Sequence, residues 1–304
     1  MKKVLFALLL LLFWSGRVFA QYDSPISHYM FFTASYNPAM VGESEMVQLI
    51  GMHRINMASL DGGQVTNFGI NSPFKIRNTS HGAGIRLANR TMGSVRSYQS
   101  AYVQYAFKQP TKIGNFSLGV DLGFVNNTID GTKVEIPSES EYHDTNDPVI
   151  PTKEVSGMAF DMNVGIYYSF NKGYAGVSYS HLTSPLVEVD DKITDTVSGT
   201  MYVTGGYDVS IPDTKLTFKP RTLVMTDFAS YDIALTANLD YNDRVWGGLT
   251  YRWANSVTFM IGTNIWGGVS AGFAYDMPAT KRILGTVGSF ELLLEFDFEL
   301  LLNK

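Results

Sequence analysis

Cysteine is absent from all 304 residues, so neither a disulfide nor thiol chemistry can contribute to this protein. The 23 Lys and Arg against 28 Asp and Glu leave a net charge of -5, which argues against a nucleic-acid partner. No apolar run beyond the first twenty residues reaches the roughly 18 needed to cross a bilayer as a helix. The five histidines show no paired spacing of the kind that holds a metal. There is no Walker-type phosphate loop, and Ser178 in GVSYS lacks the Gly-x-Ser-x-Gly elbow of a serine hydrolase. With no nucleophile, base and orienting group expected to converge, neither an enzyme nor a cofactor is expected.

The chain begins as an exported protein does. Lys2 and Lys3 precede the apolar run from Val4 to Trp14, and Val18-Phe19-Ala20 offers a signal-peptidase site, so residues 1–20 are expected to be removed. If the mature chain spans a membrane without a helix, it must do so as a closed barrel, the other structure that satisfies its backbone in lipid.

The closing stretch GSFELLLEFDFELLL, 288–302, shows which solvents the two faces meet. Phe290, Leu292, Leu294, Phe296, Phe298, Leu300 and Leu302 fall on one face of an extended strand, and Glu291, Glu295, Asp297 and Glu299 on the other. A helix would scatter these side chains around its circumference, so the period of two decides for strand. The same alternation recurs upstream. Phe116, Leu118, Val120, Leu122 and Phe124 oppose Ser117, Gly119, Asp121 and Gly123, and Ile233, Leu235, Ala237 and Leu239 oppose Asp232, Thr236, Asn238 and Asp240. An inner face of glycine, small polar groups and charges is too hydrophilic for the core of a sandwich, and suits a water-facing lumen.

Fourteen strands are predicted, at 46–56, 64–71, 81–90, 95–107, 115–127, 156–170, 173–182, 200–209, 215–224, 231–239, 244–253, 256–264, 267–275 and 289–302. The stretch 95–107 is the least regular, with polar residues on both faces. Pro220 removes a ladder hydrogen bond, so a bulge or a strand end is expected there. The longest connections, 128–155, 183–199 and 276–288, are the fifth, seventh and thirteenth. They share one end of the barrel by parity, whereas 171–172, 210–214 and 240–243 are tight. Outer-membrane barrels keep long loops outside and short turns on the periplasmic side, and a sandwich has no reason to obey that rule. The fold expected is an all-β, antiparallel transmembrane barrel of about 14 strands in a bacterial outer membrane. It comprises residues 46–304, preceded at 21–45 by a periplasmic or plug-like segment broken by Pro25, Pro38 and Gly42.

Glu291, Glu295, Asp297 and Glu299 are candidates for a solvated lumen wall, paired with bases such as Arg54 and joined by Arg252. Their two-residue spacing spreads them along a strand instead of gathering them around an ion. The histidines, His181 among them, are expected to stand alone. The acidic loop 133–154 is expected to be solvated surface.

Several blocks in order resemble one known family: NPAMVG at 37–42, HGAGIRLANRTMGSVRSYQSAYVQYAF, FSLGVDLGFVNNTID, AFDMNVGIYYSFNKGYAGVSYSHL, YVTGGYDVSIPDTKLTFKPRTLV, DRVWGGLTYR and the closing GSFELLLEF. Together they are similar to the PorP/SprF family of type IX secretion outer-membrane proteins, across almost the whole mature chain. HRINMAS at 53–59 departs from the pattern, lacking a tryptophan after the arginine. The resemblance implies a non-enzymatic, lipid-embedded outer-membrane component of the secretion and gliding machinery in Bacteroidetes-type bacteria. Its implied partners are the periplasmic lipoprotein ring (PorK and PorN), the peptidoglycan-binding PorE and secreted surface cargo. Tyr29, Asn37, Pro38 and Gly42 in the opening segment are the candidate partner-binding residues, with the N-terminus expected to be periplasmic. The alternatives weighed are an outer-membrane transporter of a hydrophobic small molecule and, far behind it, an outer-membrane lipase.

Overall fold

The computed structural model describes residues 23–57, 62–134, 150–279 and 288–299. Fourteen antiparallel strands form the wall: β1 (Val47–Asn56), β2 (Gln64–Ile76), β3 (Thr79–Met92), β4 (Arg96–Pro110), β5 (Asn115–Asp130), β6 (Glu154–Phe170), β7 (Gly173–Ser180), β8 (Thr200–Tyr207), β9 (Leu216–Thr226), β10 (Tyr231–Tyr241), β11 (Val245–Arg252), β12 (Ser256–Asn264), β13 (Val269–Pro278) and β14 (Ser289–Phe298). Each pairs with its neighbours in sequence. The ring closes where β14 meets β1, with Glu291 opposite Arg54 and Leu294 opposite Gly51. Closure leaves no wall strand with an open edge, the condition for a sheet surrounded by lipid. The expected signal peptide, the middle of the loop at 135–149 and the end of the closing stretch lie outside the described residues.

Alternation decides what faces lipid. Val103, Leu122, Ile261 and Leu294 are each about half exposed or more, while their strand neighbours Gln104, Asp121, Met260 and Leu293 are buried. Aromatic rings gather at both margins of this apolar band. At one margin Phe74, Tyr105 and Phe107 surround His81, and Phe296 stacks on Phe298. At the other, Tyr251 meets Trp253 and Tyr275 meets Phe290. Such girdles sit where ring edges can reach water while their faces stay in hydrocarbon. β4 carries polar residues on its outer face, Ser97 and Gln99, where it runs past the band toward the long loops; its lower half, Ala101, Val103, Tyr105 and Phe107, alternates as the others do.

Pro220 stays inside β9 and keeps its register with Ala237 of β10. On the other side the ladder lapses: Gly206 pairs with Arg221 and Val209 with Phe218, leaving Tyr207 and Asp208 unpaired opposite Pro220 and Lys219. The missing N–H is accommodated by a gap in the neighbouring strand and not by a bulge or an end in its own.

The seventh connection departs from the expected open loop. Leu186–Asp190 and Ile193–Thr196 form a small hairpin of their own. Val187, Val189 and Val197 bury themselves against Tyr102, Val125 and Ile129 on the inner face of β4 and β5, so the hairpin folds inward across the long-loop mouth. The alternation of Val187 and Val189 with Glu188 and Asp190 was its signal.

Val103 lies midway along β4 between Ile85 and Leu122 on the lipid face. Val103→Arg is expected to destabilise the barrel by about 2–4 kcal/mol in denaturant titrations in lipid vesicles. Ile113→Arg, in the exposed turn 111–114, is expected to cost at most about 1 kcal/mol. Equal costs would contradict the assignment of the outer face.

Candidate functional site

The lumen is where the chain departs most from a plain barrel, because the segment preceding β1 runs through it. Residues 27–29 and 34–42 are buried. The segment starts beside the long-loop mouth, at the rim opposite the periplasmic one expected for its start, where Asp23 touches His181 and Tyr202 at the ends of β7 and β8. It finishes at the opposite rim, where Glu43 accepts from Lys108 near the end of β4 at 2.8 Å. Gly42, with φ of 63°, then turns the chain into β1. A Cβ there would stand 2.8 Å from the Ser72 carbonyl oxygen, so a side chain is excluded as well as disfavoured.

The sequence explains why this segment forms no long element. Pro25 and Pro38 interrupt any continuous ladder or helix. Two short 3₁₀ turns, Thr33–Ser35 and Pro38–Met40, supply what local backbone pairing there is; in the second, the Asn37 side chain accepts from the Ala39 N–H at 3.0 Å, with Pro38 at the first helical position. Backbone groups left over are met by the wall. Gln104 donates to the Ala34 carbonyl at 2.9 Å, Ser178 to the Tyr36 carbonyl at 2.5 Å, and the Gly42 N–H donates to Asn71 at 3.0 Å.

Charges concentrate at two points. Glu291 of β14 accepts from the backbone N–H groups of Ser27 and His28, at 2.9 and 2.7 Å, and lies 2.8 Å from the His28 imidazole. Arg54 stands beside Glu291 on β1, donates to the Ser27 hydroxyl at 2.7 Å and forms an ion pair with Asp276. At the long-loop end, His181 bridges Asp161 at 2.5 Å and Asp23 at 3.3 Å, while Tyr102 and Tyr202 donate to these two carboxylates. Burial alone would raise the Asp23 carboxyl. The His181 charge, with the hydrogen bonds from His181 and Tyr202, outweighs it and holds the group well below the usual carboxylate range.

The wall is shaped to the segment by its glycines. A Cβ at Gly69 would overlap the Phe32 ring, one at Gly82 the Val41 carbonyl, one at Gly119 the Ala39 backbone, and one at Gly165 the Asn37 side chain. These four lie on β2, β3, β5 and β6. Around the rest of the lumen, Phe31 packs on Trp246 with ring centroids 4.4 Å apart, and Tyr29 bonds to Thr236. The segment is therefore a fitted plug.

Of the lumen candidates, Glu291, Arg54 and Arg252 are buried in the barrel, and Arg252 pairs with Asp232 at 2.9 Å and donates to the Ile26 carbonyl at 3.3 Å. They grip the plug instead of lining a solvated wall. Glu295 shares that face lower down and accepts from Gln48 at 2.6 Å; Asp297 is half-buried at the rim, and Glu299 is exposed past the end of β14. Tyr29, Asn37, Pro38 and Gly42, expected to meet partners, are all buried inside. His28 and His181 are not isolated but sit in the two charged clusters; sequence spacing hid this because their partners lie on distant strands. Among the described residues no group of three or more His, Cys, Asp or Glu is placed to hold a metal ion.

Comparison with known proteins gives a match to the family described as type IX secretion system membrane protein PorP/SprF over residues 18–296. No curated protein sequence matches. Among solved structures, the chain is similar to the Acinetobacter baumannii outer membrane protein Omp33, at 8% identity and a TM-score of 0.49 over 84% of this chain and 98% of that one. It is also similar to a Pseudomonas aeruginosa FadL homologue, at 10% identity and 0.49 over 88% and 94%. A third is the Ralstonia pickettii toluene transporter TbuX, at 12% identity and 0.47 over 93% and 96%.

Gly165→Val and Gly119→Leu are expected to expel the plug, giving protease-sensitive residues 23–43 and a stepwise ion conductance in planar bilayers well above that of the native barrel. Gly51→Ala, where a Cβ meets nothing within 4 Å, is expected to behave as native. Silent glycine variants would show that the plug is not seated as described.

Proposed function

The chain belongs to the type IX secretion system membrane protein family PorP/SprF, and on that premise we propose that it is a non-enzymatic outer-membrane component of the secretion and gliding machinery, docking the periplasmic apparatus and assisting export of surface cargo. One observation carries this reading: the lumen is filled by the protein's own N-terminal segment, bonded to the wall around its circumference. A barrel occupied in this way has its two rims left for work, and rims bind proteins. Passage of a hydrophobic solute has less support, since the apolar groups inside the barrel, Ile50, Met52, Trp246 and Leu293 among them, are already covered by the plug's own Phe31 and Phe32.

The short-turn rim has the chemistry of a docking surface. The turns after β2, β4 and β6 expose Lys75, Arg77, Lys112 and Lys172, with Ile76 and Ile113 standing 53% and 75% exposed among them. These three turns form a basic arc with apolar tips. Glu43, Glu45, Asp213, Asp243 and Glu299 are exposed on the rest of that rim, so the arc alone fits an acidic partner surface in the periplasm. In this proposal the lipoprotein ring (PorK and PorN) and PorE meet that rim, and cargo meets the long-loop rim.

Deleting the gene should abolish export of large surface adhesins while leaving general membrane integrity intact; normal export would refute the proposal. Reversing the rim charges together, with Lys75→Glu, Arg77→Glu, Lys112→Glu and Lys172→Glu, should leave the barrel folded but strip ring proteins from it in a pull-down from detergent-solubilised outer membrane. Undiminished co-purification would move the docking surface elsewhere.

A further inference from the structure

The two halves of the plug are held differently. Residues 27–42 are largely buried and several of them sit against wall glycines that leave no room for a side chain. Residues Asp23 to Ile26 are only half-buried and border a cavity of about 90 Å³ on the long-loop side, lined also by Arg86, Arg90, Tyr98, Tyr102, Asp232 and Arg252. The grips on this outer part address features that many peptides share. Arg252 donates to a backbone carbonyl, that of Ile26; Arg90 reaches the Ser24 hydroxyl at 3.4 Å; His181 and Tyr202 hold the carboxylate of Asp23. Pro25 fixes its own φ and pushes Ser24 toward extended backbone, so the stretch is presented without helix or turn.

The lining is ready for more than it holds. The Arg86 guanidinium rests 4.4 Å from the Tyr102 ring centroid and that of Arg90 4.5 Å from Tyr98, so both are fixed in orientation. Arg252 Nε and Asp232 Oδ1 are buried without a hydrogen-bond partner, one donor and one acceptor at the edge of the same cavity. A space of this size does not admit a second chain beside the first, so an incoming chain must displace the resident one.

We propose that the long-loop half of the lumen is a binding site for an extended peptide bearing a carboxylate, and that Asp23 to Ile26 occupy it as a resident stand-in. The ligand is the polypeptide tail of a partner entering from the long-loop side, its carboxylate replacing that of Asp23 between His181 and Tyr202. The inner part of the plug stays seated during the exchange. This goes beyond the export role, and the site is tested on the purified barrel without reference to export.

The absence of cysteine makes the test direct. In purified full-length protein carrying Ser24→Cys, a peptide copying residues 23–28 should raise the maleimide-labelling rate several-fold; Ala39→Cys, in the inner part, should not respond. By fluorescence anisotropy the labelled peptide should bind the Asp23→Asn protein about ten-fold more tightly than native protein, reflecting the charged hydrogen bonds the resident segment has lost. A peptide with Asn in place of its Asp should bind neither. Unchanged Ser24→Cys labelling at saturating peptide, equal binding of the Asn peptide, or equal displacement by free acetate would each overturn the proposal. Peptide binding that survives alongside normal export in the deletion strain would sink the secretion reading and leave this site standing.

Discussion

Every backbone N–H and C=O within the hydrocarbon must find a partner in the protein itself, and this requirement governs the structure. Water is not there to stand in, and each unpaired group would cost several kcal/mol. The wall answers it by meeting itself: β14 returns to β1 with ten residues in register, Val47 against Phe298 through Asn56 against Ser289. Pro220 is the test of the rule, because its missing donor falls where the neighbouring strand has already let go.

Closing the ladder creates a second demand on the inside. A wall whose outward face is apolar must turn its polar face inward, and here that face carries Arg54, Asp121, Asp161, Asp276 and Glu291, all buried. Buried charges need partners. Some come from neighbouring strands, as when Gln104 and Asn163 donate to Asp121. The rest come from the plug, whose N–H groups at Ser27 and His28 satisfy Glu291 and whose carbonyls are satisfied by Gln104, Ser178 and Arg252. The polar lumen and the proline-broken segment complete each other: the segment cannot pair with itself, and the wall cannot pair all of its own groups. That reciprocity distinguishes a fitted plug from a tethered lid, and it directs attention from the pore to the rims.

Much of the wall was legible beforehand. A two-residue period survives whatever the strand touches, so the outward faces of β5, β10 and β14 fall where alternation put them, and parity put the long connections at one rim. What stayed hidden depended on partners far apart in the chain. His181 belongs with Asp23 and Asp161, and Glu291 with His28, a separation no local spacing can reveal. Tyr29, Asn37, Pro38 and Gly42 were candidates for partner binding on a segment that could be periplasmic or plug-like; the surrounding wall buries them, and local sequence does not carry that information.

The amino-acid order by itself determined the solvent on each face, the number of strands and the rim from which the long loops leave, because alternation and connection length are local properties of an extended chain. Only the tertiary structure decided that the lumen is filled, that the small hairpin at 186–196 folds inward, and that glycines on β2, β3, β5 and β6 are seats for the plug. A glycine in a strand reads the same whether it faces lipid, water or another backbone. Which of these it meets is settled when the barrel closes and the opening segment has to lie somewhere within it.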